Sequence, residues 1–189
     1  MSPAPDQARC FYVRGDDPSL VAQEARTLID GLVGAREPSF VVEEHGAGGD
    51  NFDVRAVVDA CLTAPFLGDR RVVVVRDSGR IAASEAQGLV AAVTDAPDST
   101  YLVLIAGGGT VPQSLVKAIV AVGEVVEASA GTGRERTTWV TGQLRDGPLK
   151  FDAPARARLQ SHLGDDLGRL AGIIDSLVAA YGEGASISV

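Results

Sequence analysis

Basic residues are scarce in this chain of 189 residues: 17 Lys and Arg stand against 25 Asp and Glu, a formal charge of −8. Tight independent binding to nucleic acid needs clustered Lys and Arg against the phosphates, so any DNA role has to be indirect. Cysteine is equally thin. Cys10 lies inside an apolar run and Cys61 on a helix-like segment, which is too few and too embedded for a disulfide framework and points to a reduced compartment. The histidines, His45 and His162, lie far apart with no carboxylate or cysteine at metal-ligand spacing, and both read as surface residues. No apolar run approaches the roughly 18 residues that span a bilayer. The opening Met1-Ser2-Pro3-Ala4-Pro5-Asp6 has neither a basic n-region nor an apolar h-region, so a cytoplasmic location without membrane attachment is expected. G-x-S-x-G and H-E-x-x-H are both missing, and the adjacent Glu43 and Glu44 would point to opposite faces of a strand, which disfavours paired acid–base work.

What is present is 46% hydrophobic residues against 22% charged, enough for a domain with a real core and a small companion. Val72-Val73-Val74-Val75 shows no alternation, as a strand covered on both faces of a parallel sheet requires. Around it, strand and helix alternate. Cys10–Val13 reads as a strand, followed by a helix capped by Asp17, opened by Pro18 and closed by Gly34. Ser39–Glu44 reads as a second strand, and Asp53–Leu62 as a helix. After the valines, Ser84 with Gln87 gives a capping box for a helix that stops before Pro97. Tyr101–Ile105 is a further strand, Thr110 with Gln113 a second capping box, and Val125–Glu127 a last strand after Gly123. Such alternation specifies an α/β fold, a doubly wound parallel sheet with right-handed crossovers. From about Gly131 the pattern becomes helical, through Trp139 to Leu144, Ala153 to Leu163 and Leu167 to Tyr181. The division expected is residues 1–130 and a helical domain at 131–189, with Ser186–Val189 resembling the start of something further.

In a doubly wound sheet the first strand-to-helix loop is where phosphate binds. Laid on Gly15, the P-loop pattern meets Leu20 in place of the second glycine, Val21 in place of the lysine and Ala22 in place of the magnesium-binding hydroxyl. Asp16 and Asp17 add two carboxylates where anions would sit. Gly107-Gly108-Gly109 lacks the G-x-G-x-x-G spacing and Lys117 is too far along the next helix, so it reads as a flexible connection. Asp77 reads as a polar strand end. No catalytic, metal-binding or cofactor-binding residue is assigned. The segment that stands out is Ala64-Pro65-Phe66-Leu67-Gly68-Asp69-Arg70-Arg71, in which Pro and Gly mark a turn that carries two large apolar side chains. On residues alone, Phe66 and Leu67 either fold inward as a satellite cluster or face outward as anchors for a partner.

These residues together resemble the delta subunit of the bacterial DNA polymerase III clamp loader, an AAA+ relative. The landmarks are Gly15-Asp16-Asp17-Pro18-Ser19-Leu20 in place of a P-loop, the turn at 64–71 running into the valines, Leu102–Ile105 with its glycine loop, and Gly164-Asp165-Asp166-Leu167-Gly168-Arg169-Leu170-Ala171. The resemblance implies a RecA-like AAA+ sheet domain without a functional P-loop, a small helical lid, and a helical collar domain that is absent here. It implies that the chain binds and opens the beta sliding clamp during DNA replication without hydrolysing ATP. Its partners would be the clamp and the gamma/tau and delta-prime subunits, with DNA met only through the assembled complex. The isolated chain would be no catalyst, but a component of the polymerase III holoenzyme, a nucleotidyltransferase complex. The family's clamp contact, a Leu-Phe pair before Gly and Arg, falls on Phe66 and Leu67 with Pro65, Gly68 and Arg70 around them; here Pro65 replaces the usual serine and the aromatic precedes the leucine. Two other readings compete: a nucleotide- or cofactor-binding enzyme of doubly wound fold, and a scaffold domain that captures another partner through the same turn.

Overall fold

Five strands, β1 (Cys10–Arg14), β2 (Val42–Gly46), β3 (Arg71–Arg76), β4 (Thr100–Ile105) and β5 (Glu124–Glu127), lie in the order β2-β3-β4-β1-β5 in the computed structural model. It describes residues 8–48, 52–65, 68–164 and 166–189. All the strand pairings in this sheet are parallel. The chain divides into two compact units, one running through Gly15 and from Val21 to Ala128, the other comprising Asp16–Leu20 and Ser129–Val189.

Burial explains the valine run. Val72, Val73, Val74 and Val75 are fully inaccessible because β3 is flanked by β2 and β4 and covered on both faces. Odd positions of β3 and even positions of β4 and β1 (Val73, Val75, Leu102, Leu104, Cys10, Tyr12) share one core cluster with Val57 and Cys61 of α3 (Val54–Leu62), Leu89 of α4 (Ala86–Asp95), and Leu115 and Ile119 of α5 (Gln113–Val122). The β1-to-β2 connection runs across the sheet in the opposite sense to the later ones, so a right-handed crossover puts its helix α1 (Pro18–Val33) on the other face. Asp17 caps α1 as expected, its Oδ1 accepting from the Ser19 amide at 2.8 Å. Gly34, at φ +61°, closes it with its amide donating to the Asp30 carbonyl.

Three local expectations need correction. Ser39–Val41 is not strand: Pro38 opens the short helix α2 (Pro38–Val41), and β2 begins only at Val42. The Ser84/Gln87 capping box does not form. A turn occupies the residues before α4, and the carboxylate used is that of Glu85, which accepts from the Ala82 amide at 3.1 Å. The Thr110/Gln113 box fails because Pro112 takes the cap position of α5, without a side-chain cap bond.

The second unit is helical with one addition. In α6 (Arg134–Asp146), α7 (Ala153–Leu163) and α8 (Arg169–Tyr181), Val140, Leu144, Ala155, Leu159, Leu163 and Leu170 are buried. Asp152 caps α7 by accepting from the Ala155 amide at 2.7 Å. The addition is a parallel pair, β6 (Lys150–Phe151) with β7 (Ser186–Ile187), in a region whose sequence shows only helical patterns before its last residues. Residues 186–187, expected to stand unbalanced, are thus paired, with the Asp152 amide donating to the Ile187 carbonyl at 3.1 Å.

Candidate protein-binding turn at the amino edge of the sheet

A parallel sheet has two unlike edges, and ligands of doubly wound proteins ordinarily sit beyond the carboxyl ends of the strands. In this chain two stretches of that edge are packed backbone to backbone. A Cβ added to Gly15 would lie 1.9 Å from the Ala128 carbonyl oxygen. Between β3 and β4, a 3-10 turn at Ser78–Arg80 meets the glycine loop: the Gly79 amide donates to the Gly107 carbonyl at 3.0 Å, and a Cβ on Gly79 would lie 2.3 Å from the Gly109 carbonyl. The buried Ser78 hydroxyl donates to the Ile105 carbonyl at 2.8 Å. Gly107–Gly109 is therefore a packed element, not the flexible connection expected from its composition. Asp77 is more than a polar strand end. It is the one non-glycine residue with positive φ (54°) among the described residues, and its carboxylate lies where a Gly107 side chain would.

The remaining chemically suggestive residues are structural. Cys10 and Cys61 are buried in the core, and burial pushes their thiols up to about 11 and about 12, far from a nucleophile's range. Glu43 and Glu44 do point to opposite faces. Glu43 meets Arg71 and His45, while Glu44 forms a two-point pair with Arg76 at 2.9 and 3.0 Å. His45, expected at the surface, is half-buried with Nε2 3.2 Å from Glu43 Oε1; His162 is exposed.

The turn lies at the opposite edge, where α3 ends and β3 begins. Phe66 and Leu67 fall outside the described residues. Pro65 is half-buried; Gly68 is exposed at φ +100°, with nothing within 4 Å of an added Cβ. The charges that follow are held in place. Asp69 accepts two bonds from Arg36, Nε to Oδ1 at 2.6 Å and Nη2 to Oδ2 at 2.5 Å, and the guanidinium holds its carboxyl down at about 2. Arg70 donates from Nη1 to the Leu32 carbonyl at 2.7 Å and lays its guanidinium 5.1 Å from the Tyr101 ring centroid. Arg71 reaches the Ala60 carbonyl at 3.3 Å. Arg36 and Tyr101 were invisible to sequence reasoning, because their contacts with the turn are long-range and no local motif marks them. Two exposed apolar side chains, Phe40 at 64% and Leu62 at 43%, belong to the segments entering β2 and leaving α3, at the same amino edge. An exposed Leu is ordinary, but a phenylalanine this open on a four-residue helix is unusual for a surface with no partner.

The matches to known proteins agree with one another. The family model for "DNA polymerase III, delta subunit" matches residues 11–129, well over half of the chain and all of the five-stranded sheet but Cys10. Among solved structures, the chain is similar to the DNA clamp loader delta protein of Bacillus subtilis, with 18% identity and a TM-score of 0.70 over 96% of this chain. It is also similar to a DNA polymerase III gamma subunit-related protein of Thermotoga maritima, with 19% identity and a TM-score of 0.55 over 90% of this chain. At these identities the likeness is one of fold, and the chain spans 55% and 54% of the lengths of those two proteins. No curated protein matches the sequence. No helix among the described residues is long and apolar enough to cross a membrane. On the match across its sheet, the chain belongs to the DNA polymerase III delta subunit family.

Proposed function

We propose that this chain binds the beta sliding clamp through the turn at 65–70 and favours the clamp's open form, as the clamp-binding arm of an AAA+ clamp loader. The observation that carries the reading is a turn whose sequence bears Phe66 and Leu67 and whose following charges, Asp69 and Arg70, are held by Arg36 and the Leu32 carbonyl, at the same edge of the sheet as exposed Phe40 and Leu62. Bulky apolar side chains inserted into a pocket are hot-spot anchors, each worth on the order of 2 kcal/mol or more when truncated. The mechanism is mechanical. Binding can open a ring only if the contact is tighter to the open form than to the closed one, by as much as the population is to move. ATP would be spent by gamma/tau subunits, with delta-prime completing the loader and DNA contacted through the assembly. In this reading residues 1–130 are the AAA+ sheet domain, 131–189 its lid, the location is cytoplasmic, and the chain serves the polymerase holoenzyme without catalysing a reaction itself.

The test is surface binding of the chain to purified beta clamp, beside Phe66→Ala/Leu67→Ala. Wild-type capture lost in a double variant with an unchanged melting curve is the expected result. A wild type that ignores the clamp, or a folded double variant that binds as well as wild type, sinks the reading.

A further inference from the structure

We propose that the cleft between α7, α8 and the β6–β7 pair docks an extended acidic peptide of a partner protein, which adds as a strand beside β7 and sets a carboxylate against Arg158 and His162. This is independent of the clamp reading. A cavity of about 680 Å3 opens here, within the range of roughly 300–1,000 Å3 typical of ligand pockets. Its floor is apolar: Phe151, Leu159, Leu177 and Ile187 come one from each of the four elements. Phe151 and Ile187 are register partners in the β6–β7 pair and so point to the same face of it.

The charge on the cavity wall is one-sided. In a chain with 25 acidic residues against 17 basic ones, none of the described Asp or Glu residues lines it. Arg158 and His162 do, four residues apart on one face of α7, and both are exposed. Arg158 has no hydrogen bond or ion pair among the described residues. Nη2 of Arg169 lies 3.5 Å from His162 Nε2, which brings a second guanidinium to the same place. A guanidinium that is not engaged by the protein and borders apolar surface suits a charge-assisted bond to a carboxylate that has an apolar neighbour.

What makes the ligand a strand is the free edge of β7. The Lys150 amide donates to the Ala185 carbonyl at 2.9 Å and the Asp152 amide to the Ile187 carbonyl at 3.1 Å. In a parallel ladder the intervening residues turn their backbone groups the other way, so those of Ser186 and Ser188 face away from β6. Among the described residues no other strand pairs with β7. Such an edge is a template for strand addition, in which main-chain bonds supply affinity and pockets for alternate side chains supply specificity. Ser188 also lies on the cavity wall, so the open edge and the apolar floor adjoin.

The probe is the fluorescein-labelled peptide Leu-Glu-Phe-Asp-Leu, titrated against the whole chain by anisotropy beside its amide counterpart Leu-Gln-Phe-Asn-Leu. Saturable binding of the acidic peptide below about 1 mM is expected, with the amide peptide weaker by about tenfold. Arg158→Ala should weaken the acidic peptide about tenfold and His162→Ala by less, each with an unchanged melting curve because both side chains are exposed. Amide exchange in the peptide covering 185–189 should slow when the probe is bound. Decanoate, an apolar carboxylate without a backbone, should displace the probe at least about tenfold less well than unlabelled peptide. No saturable binding, equal affinity for the two peptides, or an Arg158→Ala variant that binds as well as wild type overturns the site. Unslowed exchange at 185–189, or decanoate that competes as well as the peptide, overturns strand addition.

Discussion

At the carboxyl ends of β1, β3 and β4, glycine backbones lie against neighbouring carbonyls, whereas at the amino ends of β2 and β3 side chains reach outward and are steadied from behind. One set of strands makes both edges, and the sheet's register gives them equal order. What differs is chain economy beyond the strand ends. At the edge where a doubly wound sheet ordinarily cradles phosphate, Gly15 packs against Ala128 and Gly79 against Gly109. The edge that such folds usually leave as plain connections carries Phe40, Leu62 and the turn at 65–70. On the proposed clamp reading, the fold keeps its sheet while its recognition surface moves to the opposite end of the strands.

The sharpest way to break this comparison is at the turn. Phe66→Ala/Leu67→Ala should weaken capture of the clamp by at least about a hundredfold, since two anchors at roughly 2 kcal/mol each exceed two decades of affinity. Equilibrium binding measures it. Next in size is an insult to the sealed edge: Gly15→Ala must displace the Ala128 backbone and should cost about 1–3 kcal/mol in urea unfolding, without altering clamp affinity of the folded protein. If Gly15→Ala is as stable as wild type, that edge is looser than its packing indicates.

A smaller effect follows from Asp69. Its carboxyl is depressed to about 2 in the folded chain from an ordinary 3.8 by Arg36, so its contribution is complete above the ordinary value and fades as pH falls toward 2. Wild type should therefore exceed Asp69→Asn slightly in unfolding midpoint at pH 6, with the gap narrowing below about pH 4 and closing only below about pH 2. A gap that persists in acid would mean that Asp69 acts through something other than its charge. The smallest expected effect is none: ATP with magnesium should leave the melting temperature unmoved, whereas a tight ligand would raise it by mass action. A rise of several degrees would reopen the carboxyl edge as a binding site.

How far the sequence carried these conclusions depends on the range of each interaction. The valine strand, the Asp17 cap and the Gly34 stop were legible, because burial on two faces and helix ends leave local marks. Both capping boxes misled for an equally local reason: the spacing was right, but Pro112 and the turn before Ala86 had already set the backbone. The β6–β7 pair could not be seen, since two residues carry no period. The glycine loop looked loose because composition does not reveal what a missing side chain makes room for. At the turn, sequence supplied the apolar residues and Arg70. It could not supply Arg36 or Tyr101, whose relation to Asp69 and Arg70 exists only after the sheet has closed.

The position of β1 between β4 and β5 bears on how the chain comes to be folded. Cys10 faces Leu102 and Arg14 faces Glu127, so the first strand synthesised is the last to find both neighbours. β2, β3 and β4 can assemble through successive short crossovers, while Cys-Phe-Tyr-Val waits as an uncovered apolar segment. At ribosomal rates of roughly 5–20 residues per second, that wait lasts on the order of ten seconds. During it the nascent chain offers a sticky strand with two open sides. Holding chaperones should engage it in that interval, and variants that slow the closing of β5 should show themselves first as aggregation during synthesis, before any loss of stability in the finished protein.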